Sequence, residues 1–267
     1  MIAVKIGGSE GVGLDAICLD VAALVQQGQP VIVVHGGSAE TNEISEKLGH
    51  PARFVTSTSG FTSRYTDRTT LEIFAMVTNG RINTLLVERL QKAGVNAFGL
   101  SGLDGRLMVA HRKDAIRIVE NGKQRILRDD FTGKIEQVDG GLLRSLVDAG
   151  LTPVISPLAI SPAGEALNVD ADRAAAMVAG AVQAEQLVIL TNVPGLMRCF
   201  PDESTLIPHL PRVGLEQALS FAEGRMKKKV LGASEALDLG VSKVVFADGR
   251  IAQPLQAALA GKGTVIS

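Results

Sequence analysis

The sequence predicts an α/β protein built on a mainly parallel sheet covered on both faces. Short apolar runs alternate with helix-period segments along the whole chain. The runs have no polar face, as residues 31–34 (Val-Ile-Val-Val) show, which is the pattern of strands buried on both sides. Most of them close on glycine-rich turns. At 267 residues the chain can form one large domain or two lobes sharing a core.

Each element follows from its pattern. Residues 2–6 are a strand ending at Gly7-Gly8, and 14–27 have helical spacing. The strand 31–34 closes on His35-Gly36-Gly37, with Ser38 as N-cap of a helix over 38–48. A long helix is predicted over 67–92, capped by Thr66 or Asp67, then a strand over 96–100 closed by the loop 99–105. Residues 107–135 read as antiparallel strands, with Asn121-Gly122 as a hairpin turn because both tolerate positive φ. The remainder alternates again: helix 142–149, strand 152–156, helix 170–180, strand 187–191 with the turn 192–195, helix 226–239, strand 243–247 and helix 254–260.

Composition excludes several classes. Lys plus Arg number 27 against 28 Asp plus Glu, a net charge of −1, so the chain has no global electrostatic footprint for nucleic acid or an anionic membrane. With 46% hydrophobic residues, no Trp and one Tyr, the core must be mainly aliphatic. Cys18 and Cys199 lie far apart without CxxC spacing, so reduced thiols are expected rather than a disulfide or zinc framework. No secretory signal pattern and no apolar run of about 18 residues is present, and the expected compartment is the cytosol.

The strand ends carry Lys5-Ile-Gly7-Gly8-Ser9, His35-Gly36-Gly37-Ser38, Ser101-Gly102 and Asn192-Val-Pro-Gly195. In open α/β sheets ligands bind beyond the carboxyl ends of strands, and glycine lets backbone N–H groups approach phosphate oxygens. No G-x-x-x-x-G-K-[ST] motif occurs. Gly11-Val-Gly13-Leu-Asp-Ala16 fits a loose dinucleotide pattern, but His35 stands at the end of the second strand where an acidic ribose ligand is required.

The charged candidates each have two readings. Lys5 lies inside an apolar strand, where a charge is costly unless it faces a ligand; otherwise it is an edge lysine pointing to water. In Arg225-Met-Lys227-Lys228-Lys229, Lys227 and Lys228 read as a solvated face, while Lys229 borders an apolar segment. Asn168-Val-Asp170-Ala-Asp172 precedes an apolar helix: the acids are caps, or Asp172 organises the two lysines and Asn168 binds substrate. Arg64 can clamp a carboxylate with two prongs. His35 reads as structural, since a carboxylate acceptor is already ionised and needs no base.

In order along the chain, Lys5-Ile-Gly-Gly8, Val34-His-Gly-Gly37, Arg64-Tyr-Thr-Asp67, Thr70-Leu-Glu72, Gly99-Leu-Ser-Gly102, Asn168-Val-Asp-Ala-Asp172, Asn192-Val-Pro-Gly195 and Gly224-Arg-Met-x-x-Lys229 resemble the acetylglutamate kinase branch of the amino acid kinase family. The resemblance implies a three-layer α/β/α sandwich in a single domain over 1–267. Residues 1–180, with a basic hairpin over 107–135, would form the acceptor lobe and residues 181–267 the ATP lobe. It implies that Lys5 and Lys229 stabilise the transferring phosphoryl and that Asp172 holds both. Gly7 and Gly8 would face the nucleotide phosphates, with amides from Gly8, Gly36 and Gly37. Gly36, Gly37, Arg64 and Asn168 would serve the acceptor amino acid, and Asn192, Val193, Gly195 and Leu196 the nucleotide. ATP is the implied cofactor with Mg2+ on its phosphates, no metal site on the protein itself, and an acyl phosphate as product.

Three departures refine this. The chain has His35-Gly-Gly-Ser-Ala-Glu-Thr-Asn42 where that branch has His-Gly-Gly-Gly-Pro, Gly7-Gly8-Ser-Glu10-Gly in place of Gly-Gly-Asn-Ala, and a longer segment over 51–64. All three resemble the subgroup that phosphorylates α-aminoadipate carried on an acidic amino-group carrier protein of LysW type, in lysine biosynthesis. The alternatives are free N-acetyl-L-glutamate in arginine biosynthesis, carrier-bound glutamate, or a non-catalytic amino-acid or nucleotide-binding regulator. Asp170 replaces a frequent Asn. Residues 111–135 hold seven basic and four acidic side chains. Arg112, Lys113, Arg117, Lys123, Arg125 and Arg128 are therefore the expected carrier-docking surface. The chain opens on its first strand, without the helix that interlocks arginine-inhibited hexamers, so a homodimer without arginine feedback is expected.

Overall fold

In the computed structural model, which describes residues 1–58, 60, 62–120 and 123–267, the alternation is realised nearly element by element. The chain runs β1 (Ile2–Ile6), α1 (Leu14–Gln26), β2 (Val31–His35), α2 (Ser38–Lys47), β3 (Phe54–Ser57), β4 (Thr62–Arg64) and α3 (Arg68–Ala75). A π-helical stretch, Met76–Asn83, leads into α4 (Thr84–Lys92). Next come β5 (Ala97–Ser101), β6 (Met108–Arg112), β7 (Ile116–Glu120), β8 (Lys123–Leu127), β9 (Gly133–Val138), α5 (Gly140–Asp148), β10 (Thr152–Ser156), β11 (Leu158–Ile160) and β12 (Ala166–Asn168). The last part holds α6 (Ala171–Ala181), β13 (Gln186–Thr191), β14 (His209–Leu210), α7 (Leu215–Phe221), α8 (Gly224–Asp238), β15 (Lys243–Asp248), α9 (Pro254–Leu259) and β16 (Thr264–Ile266).

Eight strands build the central sheet in the order β14-β16-β15-β13-β1-β2-β10-β5. Every neighbouring pair is parallel except β15 with β16. Alternate residues of each strand feed opposite faces. Ile2, Val4 and Ile6 pack with Ile17, Leu86, Leu90 and Leu255 under α1, α4 and α9. Ala3 packs with Ile32, Val34, Leu143, Ala175 and Val230 under α5, α6 and α8. The result is the three-layer α/β/α sandwich that the resemblance implied.

Some expectations change. The strands over 107–135 are antiparallel as predicted, but they do not form one hairpin. β6 pairs with β9 in a sheet ordered β12-β11-β6-β9, whereas β7 and β8 join β4-β3-β7-β8. The predicted turn residues Asn121 and Gly122 lie outside the described residues. Ser38 is the first residue of α2 rather than its cap; Gly37 takes that place, and the Ser38 hydroxyl donates to the Gly8 carbonyl at 3.4 Å. The helix over 67–92 is present with Asp67 as its cap, accepting from the Thr70 N–H at 2.8 Å, but its middle is π-helical. Cys18 is buried, Cys199 exposed, and neither is paired.

Candidate active site

Lys5 has the parity of Ala3 on β1, so it projects toward α6 and α8. It sits in register with Val34 and Ile189, in the interior of the sheet, which removes the edge-lysine reading. Asp170 caps α6, its Oδ1 accepting from the N–H groups of Asp172 (3.0 Å) and Arg173 (3.2 Å). The capping reading of this segment therefore holds for Asp170, and the cap places Asp172 in the first turn facing the sheet. Helix α8 lies close against that turn because residue 232 is glycine: a Cβ there would stand 3.2 Å from the Asp172 carbonyl oxygen. The Arg173–Glu235 ion pair, 2.9 Å from Nε to Oε2, ties the two helices further along.

This packing brings three charges together. Lys5 Nζ lies 2.6 Å from Asp172 Oδ1, and Lys229 Nζ donates to Oδ1 and Oδ2 at 3.0 Å each. All three are buried, with Lys5 4%, Asp172 8% and Lys229 7% exposed. Burial alone would raise the Asp172 carboxyl, but the charges of Lys229 and Lys5 hold it well below the usual carboxylate range. Burial pushes the Lys229 ammonium down to about 8, with Asp172 opposing and Lys5 adding repulsion.

A cavity of about 640 Å3 opens on this cluster. Its lining brings together Lys5, Gly7, Gly8, Gly36, Gly37, Arg64, Asn168, Asp172 and Lys229, nine of the residues singled out in the sequence. The loops after β1 and β2 touch backbone to backbone there: a Cβ on Gly8 would stand 2.3 Å from the Gly37 nitrogen. The amides divide by use. Gly7 N–H donates to the Leu190 carbonyl and Gly36 N–H to the Ile6 carbonyl, both at 2.9 Å, so the expected contribution of Gly36 is spent in extending the sheet. Among the described residues no acceptor takes the N–H of Gly8 or Gly37.

Arg64 is 8% exposed. Its Nη2 donates to Asn42 Oδ1 at 2.6 Å and to the Ser38 carbonyl at 3.2 Å, and its plane lies 5.2 Å over the Phe54 ring. Its Nη1 is buried with no partner, and among the described residues no carboxylate pairs with it. Burial and the positive charge of Arg225 both disfavour its ionised form. Asn168 donates from Nδ2 to the Thr66 hydroxyl at 3.0 Å.

His35 is structural, as expected. Asn83 Nδ2 donates to its Nε2 at 3.0 Å, which leaves the proton on Nδ1 facing the Gly36 carbonyl at 3.2 Å. Burial lowers its pKa to about 4, so the ring is neutral at physiological pH.

The turn after β13 is not part of the cavity lining: Asn192, Val193, Gly195 and Leu196 lie outside it. Leu196 is a core residue whose N–H donates to Thr264 Oγ1 and whose carbonyl accepts from Ile207, both at 2.8 Å. Conversely, Lys227 and Lys228 line the cavity rather than forming a purely solvated face, and Arg225 joins them. Lys228 Nζ lies 3.8 Å from Asp170 Oδ2, and Arg225 donates to Ser9 Oγ at 2.9 Å. Arg225 could have been found from its spacing, one helical turn before Lys229.

The expected docking residues also separate. Lys113, Arg117, Lys123, Arg125 and Arg128 are exposed. Arg112 is turned inward, donating to the Asp130 carbonyl at 2.9 Å and to Glu165 at 3.0 Å.

Two buried lysines organised by one carboxylate, two open amides and a guanidinium with a free nitrogen define a site that takes anions at several points. The chain belongs to the amino acid kinase family, whose model matches residues 1–248. Over all 267 residues it is 57% identical to the LysW-aminoadipate kinase of Deinococcus radiodurans, covering 91% of that protein. It is 52% identical, over the full length of both, to the LysW-aminoadipate kinase of Thermus thermophilus. Among solved structures, N-acetylglutamate synthase from Neisseria gonorrhoeae, complexed with coenzyme A and N-acetyl-glutamate, superposes with a TM-score of 0.80 at 26% identity. That match covers the whole of this chain and 59% of the other.

Proposed function

We infer that this protein is a kinase that transfers the γ-phosphoryl of ATP to the side-chain carboxylate of α-aminoadipate borne on a LysW-type carrier, in lysine biosynthesis. The Lys5–Asp172–Lys229 cluster carries the reading, in a cavity whose Arg64 retains an unpartnered nitrogen. The two LysW-aminoadipate kinases matched along the whole chain support the acceptor.

Bound ATP supplies the phosphoryl group, and the acceptor carboxylate attacks it as the bond to the ADP oxygen breaks. Lys5 and Lys229 neutralise the charge on the transferring group, and Asp172 fixes both without competing for it. The Gly8 and Gly37 amides add dipoles from two loops. The neutral His35 takes no proton, and none needs taking. Arg64 and Asn168 orient the acceptor. Mg2+ is expected on the phosphates rather than in a protein cage, because Asp172 is engaged by both lysines and Asp170 caps α6.

In the same reading residues 1–180 serve the acceptor and 181–267 the nucleotide, with Asn192 and Val193 beside it. The exposed basic residues of β7, β8 and their flanks dock the acidic carrier. The compartment is the cytoplasm. The assembly is a homodimer, which the exposed Phe98 on the edge strand β5 favours.

Hydroxylamine trapping of the acyl phosphate, with ATP and either acceptor, tests the assignment. Hydroxamate is expected on carrier-borne aminoadipate. Robust turnover of free N-acetyl-L-glutamate with none on the carrier would overturn it.

A further inference from the structure

Asp130 is 3% exposed, yet among the described residues no cation pairs with it. Its carboxylate is instead satisfied by one short segment and one distant residue. Oδ1 accepts from the Thr132 N–H at 2.8 Å and from the Thr132 hydroxyl, and Oδ2 accepts from the Thr66 N–H at 3.1 Å. The backbone follows the same path: Phe131 N–H donates to the Thr66 carbonyl at 2.7 Å, and Asn168 N–H to the Phe131 carbonyl at 2.9 Å. Thr66 in turn receives the Asn168 side chain at 3.0 Å and donates to the Arg64 carbonyl at 3.2 Å. Arg64, Thr132 and Asn168 all line the cavity.

Arg112 locks this assembly from behind. Its Nε donates to the Asp130 carbonyl at 2.9 Å, Nη2 to the Arg128 carbonyl at 3.3 Å and Nη1 to Glu165 at 3.0 Å, while its plane stacks 3.9 Å over Phe131. A planar fork with stacking is a geometry lysine cannot copy. An exposed docking arginine would not spend every nitrogen on its own chain.

We propose that Asp130 and Arg112 are positioning residues for the acceptor, clamping residues 130–132 to Thr66 so that Arg64, Thr132 and Asn168 hold one arrangement around the acceptor amino acid. The proposal deepens the reading above and rests on its placing the acceptor beside Arg64.

Steady-state kinetics with carrier-borne aminoadipate, at two salt concentrations, test it in Asp130→Asn, Arg112→Lys and Thr132→Val. The KM for the acceptor is expected to rise about tenfold in each, because small misplacements of binding groups are costly. The KM for ATP should stay within about twofold, and the salt dependence of the acceptor KM should be that of the parent. A merely structural role would lower the melting temperature and the active fraction without splitting the two KM values. An acceptor KM that stays at the parent value in folded Arg112→Lys and Thr132→Val overturns the proposal. So does an Arg112→Lys that changes only the salt dependence, which would make Arg112 a docking residue. A rise in the ATP KM instead would remove the acceptor from the Arg64 region and sink the underlying reading. If Asp130→Asn does not fold, the other two variants decide the matter.

Discussion

In one part of the cavity Asp172 holds Lys5 and Lys229 at 2.6 and 3.0 Å; in another, Arg64 is equally buried but faces only neutral oxygens. The first cluster is a paired electrostatic unit: the two lysines outweigh the desolvation of the Asp172 carboxylate, while burial still depresses Lys229. The second carries a desolvation cost that its two hydrogen bonds do not cover, and its Nη1 stands open. A paired charge is built to stay in one geometry and act on whatever arrives. An unpaired buried charge is built to receive a counterion, and in the function proposed above that counterion is the acceptor carboxylate.

Substitution at Asp172 should break this comparison most severely. Asp172→Asn leaves two buried ammonium groups uncompensated, a loss of roughly 3–5 kcal/mol, and turnover should become undetectable. Differential scanning calorimetry should show a fall on the order of 10 °C in Tm. Next come Lys5→Ala and Lys229→Ala, each expected to lower kcat by roughly 10²–10³ with little effect on the acceptor KM. Near-normal rates in both would remove the roles assigned to them.

Arg64→Ala should behave in the opposite manner. The acceptor KM rises about 10–100-fold, while stability shifts by about 1 kcal/mol or less because an unpaired buried charge leaves with its hydrogen bonds. Urea titration beside kinetics separates the two classes of residue: a large stability loss in Arg64→Ala would contradict the contrast.

A gentler probe is pH. Lys229 titrates at about 8 in the fold, so kcat should fall as pH rises through that value and the cation is lost. The stability effect of the same group has the reverse sign. A depressed lysine penalises the fold below about 8, and the penalty fades as pH climbs toward its ordinary 10.5. Lys229→Arg should move the alkaline limb of the kcat profile upward; an unmoved limb would assign it to another group. The smallest effect concerns the exposed basic strands. The acceptor KM should rise several-fold with salt in the parent, and reversing Lys113 and Arg117 to Glu should flatten that slope.

Of the nine cavity residues, Lys5 and the four glycines stood out by local rules, whereas Arg64, Asn168, Asp172 and Lys229 took their roles from the ordered motifs that resemble a known family. A lysine inside an apolar strand, glycines at strand ends and acids at a helix start all show in a few neighbouring letters. What was not legible depends on distant partners. Gly36 looks like an open amide until β1 supplies the Ile6 carbonyl that consumes it. Strands 107–135 pattern as one antiparallel unit, but the pairing of β7 with β3 is set by a segment some sixty residues earlier. Arg112 reads as one more basic residue in a charged run until Phe131, Asp130 and Glu165 fold around it. Lys227 and Lys228 were assigned by composition, and only the packing of α8 on α6 decides which way they face.

Position within the sheets has a further consequence, for the lifetimes of the two charge sites. Lys5 belongs to β1, an interior strand hydrogen-bonded on both sides, whereas Arg64 ends β4, a three-residue edge strand of the small four-stranded sheet. Amide protons on β1 should exchange only through global opening, and those on β4 through local fraying. In the proposed function, the acceptor end can thus breathe on a fast clock around a bulky, protein-borne substrate. The phosphoryl end keeps time with unfolding of the whole molecule.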